Sequence, residues 1–172
     1  MAGEEHVDYF LGLGSNLGRR TANLARARRL LEREGVEVLA ASSVYETEPV
    51  DFADQPWFLN QVLRVRSELD PRALLSLAKS VEAEMKRRPT VAKGPRTIDI
   101  DILFAADLVL EMPGLVIPHP RLARRNFVLV PLKEIAPRLR HPVSGLTVAE
   151  LARESVDPGR VKKRKNSPLR RV

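Results

Sequence analysis

The sequence contains no cysteine, so disulfides and thiolate metal sites are excluded. Long apolar runs are missing as well. None approaches the roughly 20 residues that a bilayer-spanning helix needs. Histidines number three, and His6 and His141 sit in no motif and read as surface residues. The first eight residues, Met1 to Asp8, are short and acidic, unlike a secretory leader. These absences leave a cytoplasmic protein, without a membrane partner, as the expectation.

Apolar residues make up 44% of the 172, which suffices for one compact domain with a buried core. The formal charge of +7 invites a nucleic-acid reading, but its location argues otherwise. The stretch from Arg160 to Arg171 holds seven cations and no acid, so the whole excess lies there and the body is formally neutral. The expected organisation is therefore a single domain over residues 1–158. Residues 159–172 read as a basic, solvated and mobile tail.

Residues 7–13 read as a first strand, broken by Gly14-Ser15-Asn16. Leu24, Ala27 and Leu31 recur at helical spacing, predicting a helix over 21–34 that Gly35 stops. Residues 36–45 are β-like, and residues 46–57, with two prolines and several acids, form a long loop of the kind that often carries function. Residues 58–65 read as a strand. Asp70-Pro71 is a helix start, with an acidic cap and proline in the first turn, and this helix runs to about Arg87. A basic loop, 88–97, leads to a strand at 98–104. A strand-like stretch at 108–111, a loop or short helix over 118–126 and short helices at 127–135 and 147–154 follow. The order βαββαβ predicts an α+β fold, a ferredoxin-like antiparallel sheet with helices packed on one face and extra C-terminal elements.

The sharpest chemical signal is Gly94-Pro-Arg-Thr-Ile-Asp-Ile-Asp101. On a strand, Ile98, Ile100 and Ile102 point one way while Asp99 and Asp101 point the other, about 7 Å apart. Adjacent carboxylates repel, and a divalent cation cancels that repulsion. Hard oxygen ligands favour Mg²⁺, which commonly uses one or two carboxylates plus substrate phosphates. Nearby Lys86, Arg87, Arg88, Lys93 and Arg96 suit a polyphosphate, because guanidinium groups hold phosphate oxygens by forked hydrogen bonds. Gly12-Leu-Gly-Ser-Asn16 resembles a phosphate turn, although the dinucleotide fingerprint and the P-loop lysine are missing. His119, stiffened between Pro118 and Pro120, is a candidate phosphate contact. Phe58 and Asn60 share a strand face, and an aromatic plane beside an amide suits a flat heterocycle.

Six segments, in this order, resemble the 6-hydroxymethyl-7,8-dihydropterin pyrophosphokinase family. They are Leu13-Gly-Ser-Asn-Leu-Gly18, Ser43-Val-Tyr-Glu-Thr-Glu-Pro49, Asp54-Gln-Pro-Trp-Phe-Leu-Asn60, Gly94-Pro-Arg-Thr-Ile-Asp-Ile-Asp101, Pro118-His-Pro-Arg-Leu122 and Asn126-Phe-Val-Leu-Val-Pro-Leu132. The resemblance implies a ferredoxin-like, monomeric, cytosolic enzyme of folate biosynthesis that uses ATP and two Mg²⁺ ions and releases AMP. It implies that Asp99 and Asp101 bind metal, and that they act with Arg96 and Arg87 in catalysis. It places Glu82, Arg87, Arg96, Ile102, His119 and Arg125 around ATP. Thr47, Pro49, Phe58, Asn60 and Phe127 would hold the pterin, with Phe58 and Phe127 clamping its ring. Loops 46–57 and 88–95 are the expected lids. Ala92-Lys93 stand where many members carry Arg-Trp. Two rival readings, an RNA-binding ferredoxin-like module and a metal-dependent phosphohydrolase, share the βαββαβ order or the carboxylate pair. The first expects aromatics at strand positions that here carry Leu and Asp, and two carboxylates would repel phosphate unless metals intervene; product analysis separates the second.

Overall fold

The computed structural model describes residues 5–49, 54–86 and 96–165. The chain runs β1 (Val7–Ser15), α1 (Arg20–Arg33), β2 (Glu37–Ala41), β3 (Tyr45–Thr47), β4 (Phe58–Ser67), α2 (Pro71–Met85) and β5 (Asp99–Ala105). A hairpin follows, β6 (Leu110–Met112) and β7 (Leu115–Ile117), then a single 3₁₀ turn at Leu122–Arg124. The chain closes with α3 (Asn126–Ile135), α4 (Val148–Glu154) and β8 (Val161–Lys163). The α+β class predicted from the sequence is the observed one. Among the described residues no helix is long and apolar enough to cross a membrane.

The main sheet has the order β5-β1-β4-β3-β8, with β2 beside β4, and all its pairings are antiparallel. Alternation along β1 explains its central place. Tyr9, Leu11 and Leu13 enter one apolar core and Phe10 enters a second on the opposite face. The first core is covered by Leu24, Ala27 and Leu31 of α1 and by Leu74, Ala78 and Val81 of α2. The second is covered by Val128, Leu129 and Leu132 of α3 and by Val148 and Leu151 of α4. Helices therefore pack on both faces, where the sequence predicted one. Residues 127–135 and 147–154 read correctly as helices, but their periodicity carries no information on which face of the sheet they cover.

Local chemistry sets the element ends. Asp70 caps α2 by accepting from the Ala73 amide at 2.8 Å, with Pro71 in the first turn. The β-like stretch 36–45 is two strands. At the break Ser42 is buried, and its hydroxyl accepts from the Val62 amide at 2.9 Å, replacing the ladder bond that a continuous strand would make. On β5 the pairing with β1 shifts between Phe10 and Leu11. Leu103 and Phe104 consequently both enter the second core, although they are neighbours in sequence.

The basic segment expected to be a mobile tail departs from that expectation over Val161–Lys163, which form β8 against β3. Glu134 of α3 anchors this edge. It accepts from the Ser43 amide, from the Tyr45 hydroxyl and from Lys163 Nζ at 3.2 Å. Burial alone would raise the Glu134 carboxyl, but the Tyr45 and Ser43 hydrogen bonds and Lys163 outweigh it and hold the group below its ordinary value of 4.5. A depressed carboxyl stabilises the fold above its unfolded value, and that contribution is lost as pH falls through the folded value. Glu134→Gln is expected to cost about 1.5–3 kcal/mol at pH 7 in urea unfolding. It should also flatten the stability loss of the parent protein below about pH 4.5.

Candidate active site

Three neighbouring strands build one cleft. The register sets Gly14 of β1 opposite Asn60 of β4 on one side and Asp99 of β5 on the other, and sets Gly12 opposite Val62 and Asp101. Two glycines thus separate the carboxylates from Asn60, and β1 itself puts no side chain between them. At Gly14 the gap is required. A Cβ there would lie 2.7 Å from Asn60 Oδ1 and 3.6 Å from the Phe58 ring. The Gly12-Leu-Gly segment is not a phosphate turn, because both glycines lie within β1 and form the floor of the cleft.

The cleft is open to solvent, and the space within it, solvent included, is about 760 Å³. Arg96, Asp99, Asp101 and Arg125 line it together with Thr47, Phe58, Asn60 and Phe127. The structure therefore brings together eight of the residues singled out from the sequence. Asn60 Nδ2 donates to Thr47 Oγ1 at 2.6 Å, which fixes the amide orientation in a buried pocket. Arg96 forms an ion pair with Asp99 at 3.1 Å. The Arg125 guanidinium lies 5.4 Å from the centre of the Phe127 ring.

The Asp101 carboxyl is pushed up to about 6, first by burial and then by the Asp99 charge, with Arg125 pulling the other way. Asp99 and Asp101 repel one another in a part-buried cleft despite Arg96 and Arg125, and a divalent cation would relieve that repulsion. Among the described residues no group of three histidines or carboxylates forms a cage. The donor set is instead two carboxylates, which fits a Mg²⁺ whose remaining ligands are phosphate oxygens and water.

Other predicted residues fall outside the cleft lining. Glu82 is buried on α2, paired with Lys79 at 3.3 Å and Lys86 at 3.6 Å. Its carboxyl is raised, chiefly by burial, with Lys79 opposing and Asp99 adding to the rise. His119 is anchored next to β5, since its amide donates to the Leu103 carbonyl at 3.0 Å. Burial, then Arg125 and Arg121, hold the imidazole below its ordinary value. Pro49 adjoins Glu48, a lining residue, without lining the cleft itself. Ile102 is packed in the first core, on the face away from Asp101. Arg87 and the predicted lid 88–95, with Lys93, lie outside the described residues, as do residues 50–53 of the other predicted lid.

One residue that the sequence reading passed over connects the parts. Asn16 is 2% exposed. Its Oδ1 accepts from the Arg96 amide at 2.7 Å, and its own amide donates to the Arg96 carbonyl at 3.0 Å. Its Nδ2 donates to Gln55 Oε1 at 2.8 Å and to the Pro56 carbonyl at 3.0 Å. The available signal was an asparagine directly after a strand, with four hydrogen-bonding positions and no helix or ladder to use them.

An antiparallel α+β domain that sets carboxylates and guanidiniums beside an amide–hydroxyl pair and two phenyl rings is built for a ligand with polyanionic and flat polar parts, as in phosphoryl-group transfer. The chain belongs to the 7,8-dihydro-6-hydroxymethylpterin-pyrophosphokinase family, whose family model matches residues 10–137. The 2-amino-4-hydroxy-6-hydroxymethyldihydropteridine pyrophosphokinase of Bacillus subtilis is 40% identical over 148 residues, 86% of this chain and 87% of that protein. Its Aquifex aeolicus namesake is 43% identical over 134 residues, 78% of this chain and 83% of that one. The folic acid synthesis protein fol1 of Pneumocystis carinii is 41% identical over 148 residues, 86% of this chain, but this chain spans 20% of its length. A crystal structure of wild-type Plasmodium falciparum HPPK-DHPS has a TM-score of 0.72 at 20% identity, covering 87% of this chain and 43% of that one, a likeness of fold.

Asn16→Ala removes three hydrogen bonds and strands the Arg96 amide. A loss of about 1–3 kcal/mol in urea unfolding is expected.

Proposed function

We propose that this protein transfers the pyrophosphoryl group of ATP to the hydroxyl of 6-hydroxymethyl-7,8-dihydropterin, releasing AMP, as a step of folate biosynthesis. The observation that carries the reading is the pairing, within one cleft, of the Asp99/Asp101/Arg96 cluster with the Asn60–Thr47 pair across a glycine floor. The family and the Bacillus subtilis and Aquifex aeolicus relatives, matched over most of their length, support the same activity. The sheet order β5-β1-β4-β2 with two crossover helices is consistent with a ferredoxin-like core, to which α3, α4 and β8 are additions. A cytoplasmic monomer is the simplest form of such a protein.

In this reading the pterin lies over Gly14. Asn60 and Thr47 hydrogen-bond its polar edge, and Phe58 and Phe127 bound its faces. Arg96 and Arg125 hold phosphate oxygens, with Arg96 exchanging its bond to Asp99 for one to substrate. His119 and Glu82 lie behind this region and shape its charge. Asp99 and Asp101 would hold Mg²⁺, two ions on the family pattern. When bound, magnesium neutralises phosphate oxygens and relieves the repulsion between the two carboxylates and ATP. The acceptor hydroxyl gives its proton to solvent as its oxygen bonds to the β-phosphorus, the bond from that phosphorus to the α–β bridging oxygen breaks, and AMP departs with that oxygen. Catalysis is mainly positioning and charge compensation, so exclusion of water matters as much as any single group.

Incubation with ATP, Mg²⁺ and 6-hydroxymethyl-7,8-dihydropterin, with nucleotides resolved, is expected to yield AMP only when pterin and metal are both present. ADP and phosphate instead would reject the reading. Asp101→Asn is expected to lower turnover by at least about a hundredfold. Because the folded-state carboxyl is raised, its ionised form opposes folding at neutral pH. The same variant should therefore gain on the order of 1–3 kcal/mol of stability in urea unfolding at pH 7. Gly14→Ala should raise the KM for pterin roughly tenfold by displacing Asn60, with the KM for ATP nearly unchanged.

A further inference from the structure

Loop residues around the acceptor side of the cleft need something to hold them, and the last described residues of the chain supply it. Glu48, which lines the cleft beside Thr47, is gripped from both directions by Arg160. Its side chain accepts from the Arg160 amide at 2.7 Å and from Arg160 Nε at 2.9 Å, and its own amide donates to the Arg160 carbonyl at 3.1 Å. The same guanidinium lies 5.0 Å from the centre of the Trp57 ring, at the other end of the same loop. One arginine therefore joins both ends of loop 46–57. The next residue, Val161, pairs with Thr47 in the β3–β8 ladder.

Three residues upstream, Asp157 reaches the opposite wall. Its Oδ2 accepts from the Asn126 amide at 2.8 Å, and its carbonyl accepts from Asn126 Nδ2 at 3.0 Å. Asn126 begins α3, directly before Phe127. Asp157 Oδ1 meanwhile accepts from the Gly159 amide at 2.8 Å, which fixes the turn between the two grips.

We propose that residues 157–163 form a strap across the acceptor end of the cleft, in which Arg160 positions Thr47 through Glu48 and Asp157 positions Phe127 through Asn126. The strap sets affinity for the pterin rather than for ATP. The inference rests on the reading of Thr47, Asn60 and Phe127 as the pterin side. Its physical basis is pre-organisation, since the ordering cost of Thr47, Trp57 and the Phe127 ring is met in the free protein instead of at binding. Arg160 is exposed, and an exposed ion pair adds little to global stability. Arg160→Ala removes the Nε bond to Glu48 and the contact with Trp57 while both main-chain bonds to Glu48 remain, so its effect should register in binding more than in unfolding.

The test is steady-state kinetics of the full chain with Arg160→Ala, Arg160→Lys and Asp157→Ala, with Asn60→Ala as reference. Arg160→Ala and Asp157→Ala are expected to raise the KM for 6-hydroxymethyl-7,8-dihydropterin by roughly five- to tenfold, with the KM for ATP within about twofold of the parent. Arg160→Lys retains a cation for Glu48 and Trp57 and should recover part of the loss. The melting temperature of Arg160→Ala should stay within about 2 °C of the parent. An unchanged pterin KM in Arg160→Ala, or an equal rise in both KM values, overturns the strap. If Asn60→Ala raises the pterin KM while Arg160→Ala does not, the strap alone fails. If Asn60→Ala also leaves it unchanged, the acceptor-side reading fails with it.

Discussion

With hydrogen in place of a side chain at Gly14, flanked by Gly12 under the Leu103 side chain, β1 leaves a lane between the carboxylates of β5 and Asn60 of β4. Strands in a sheet lie about 4.8 Å apart, so groups two strands apart are separated by roughly 10 Å. That spacing is about the length over which a flat heterocycle and a polyphosphate have to be brought end to end. A methyl at Gly14 would meet Asn60 Oδ1 at 2.7 Å and remove the lane at its tightest point. The rest of the site is arranged around that lane. Asn16 ties Arg96 to Gln55 and Pro56, and the start of α3 brings Phe127, with Arg125 just before it, to the cleft lining.

Electrostatics in the cleft run against folding, while at the sheet edge they favour it. Burial and mutual repulsion raise Asp101, and burial raises Glu82, so their charged forms are disfavoured in the folded chain. Glu134 is also part-buried, yet two hydrogen-bond donors and a lysine hold its carboxyl down. The difference lies in the partners. The edge carboxylate is met by three partners, whereas in the cleft Arg96 on Asp99 and the two lysines on Glu82 do not offset burial and repulsion at Asp101 and Glu82. A carboxyl held at a raised value in a cleft is a mark of function, which is why the strand pattern Ile-Asp-Ile-Asp points there.

That pattern was legible because strand alternation is a local property: Ile100 and Asp101 had to face opposite ways once β5 was a strand. Phe58 and Asn60 were legible for the same reason, and the Asp70-Pro71 helix start for its capping chemistry. The glycines misled, because Gly-Leu-Gly is ordinarily turn chemistry and its use as a bare strand face depends on what the neighbouring strands carry. The role of Asn16 was hidden because its three partners, Gln55, Pro56 and Arg96, lie 39 to 80 residues away. The strand Val161–Lys163 was hidden by composition. A lysine- and arginine-rich run has no apolar alternation, and here its pairing is set by Glu48, Trp57 and Glu134, each distant in sequence. Long-range polar contacts leave no periodic trace.

The shift in pairing on β5 shows how a single strand serves two demands. From Ile98 to Ile102 strict alternation buries isoleucine against α1 and α2 and turns Asp99 and Asp101 to the cleft. Continued unchanged, that alternation would put Phe104 on the α1–α2 side. The irregularity opposite Phe10 and Leu11 instead sends both Leu103 and Phe104 to the α3–α4 side, where Phe104 meets Phe10 edge-on at 6.3 Å. This packing anchors α3, whose first turn carries Phe127 and follows directly on Arg125. An even-spaced strand would keep the carboxylates in place but weaken the seat of the helix that completes the cleft. The bulge thus couples the carboxylate-bearing end of β5 to the aromatic wall above it through apolar packing.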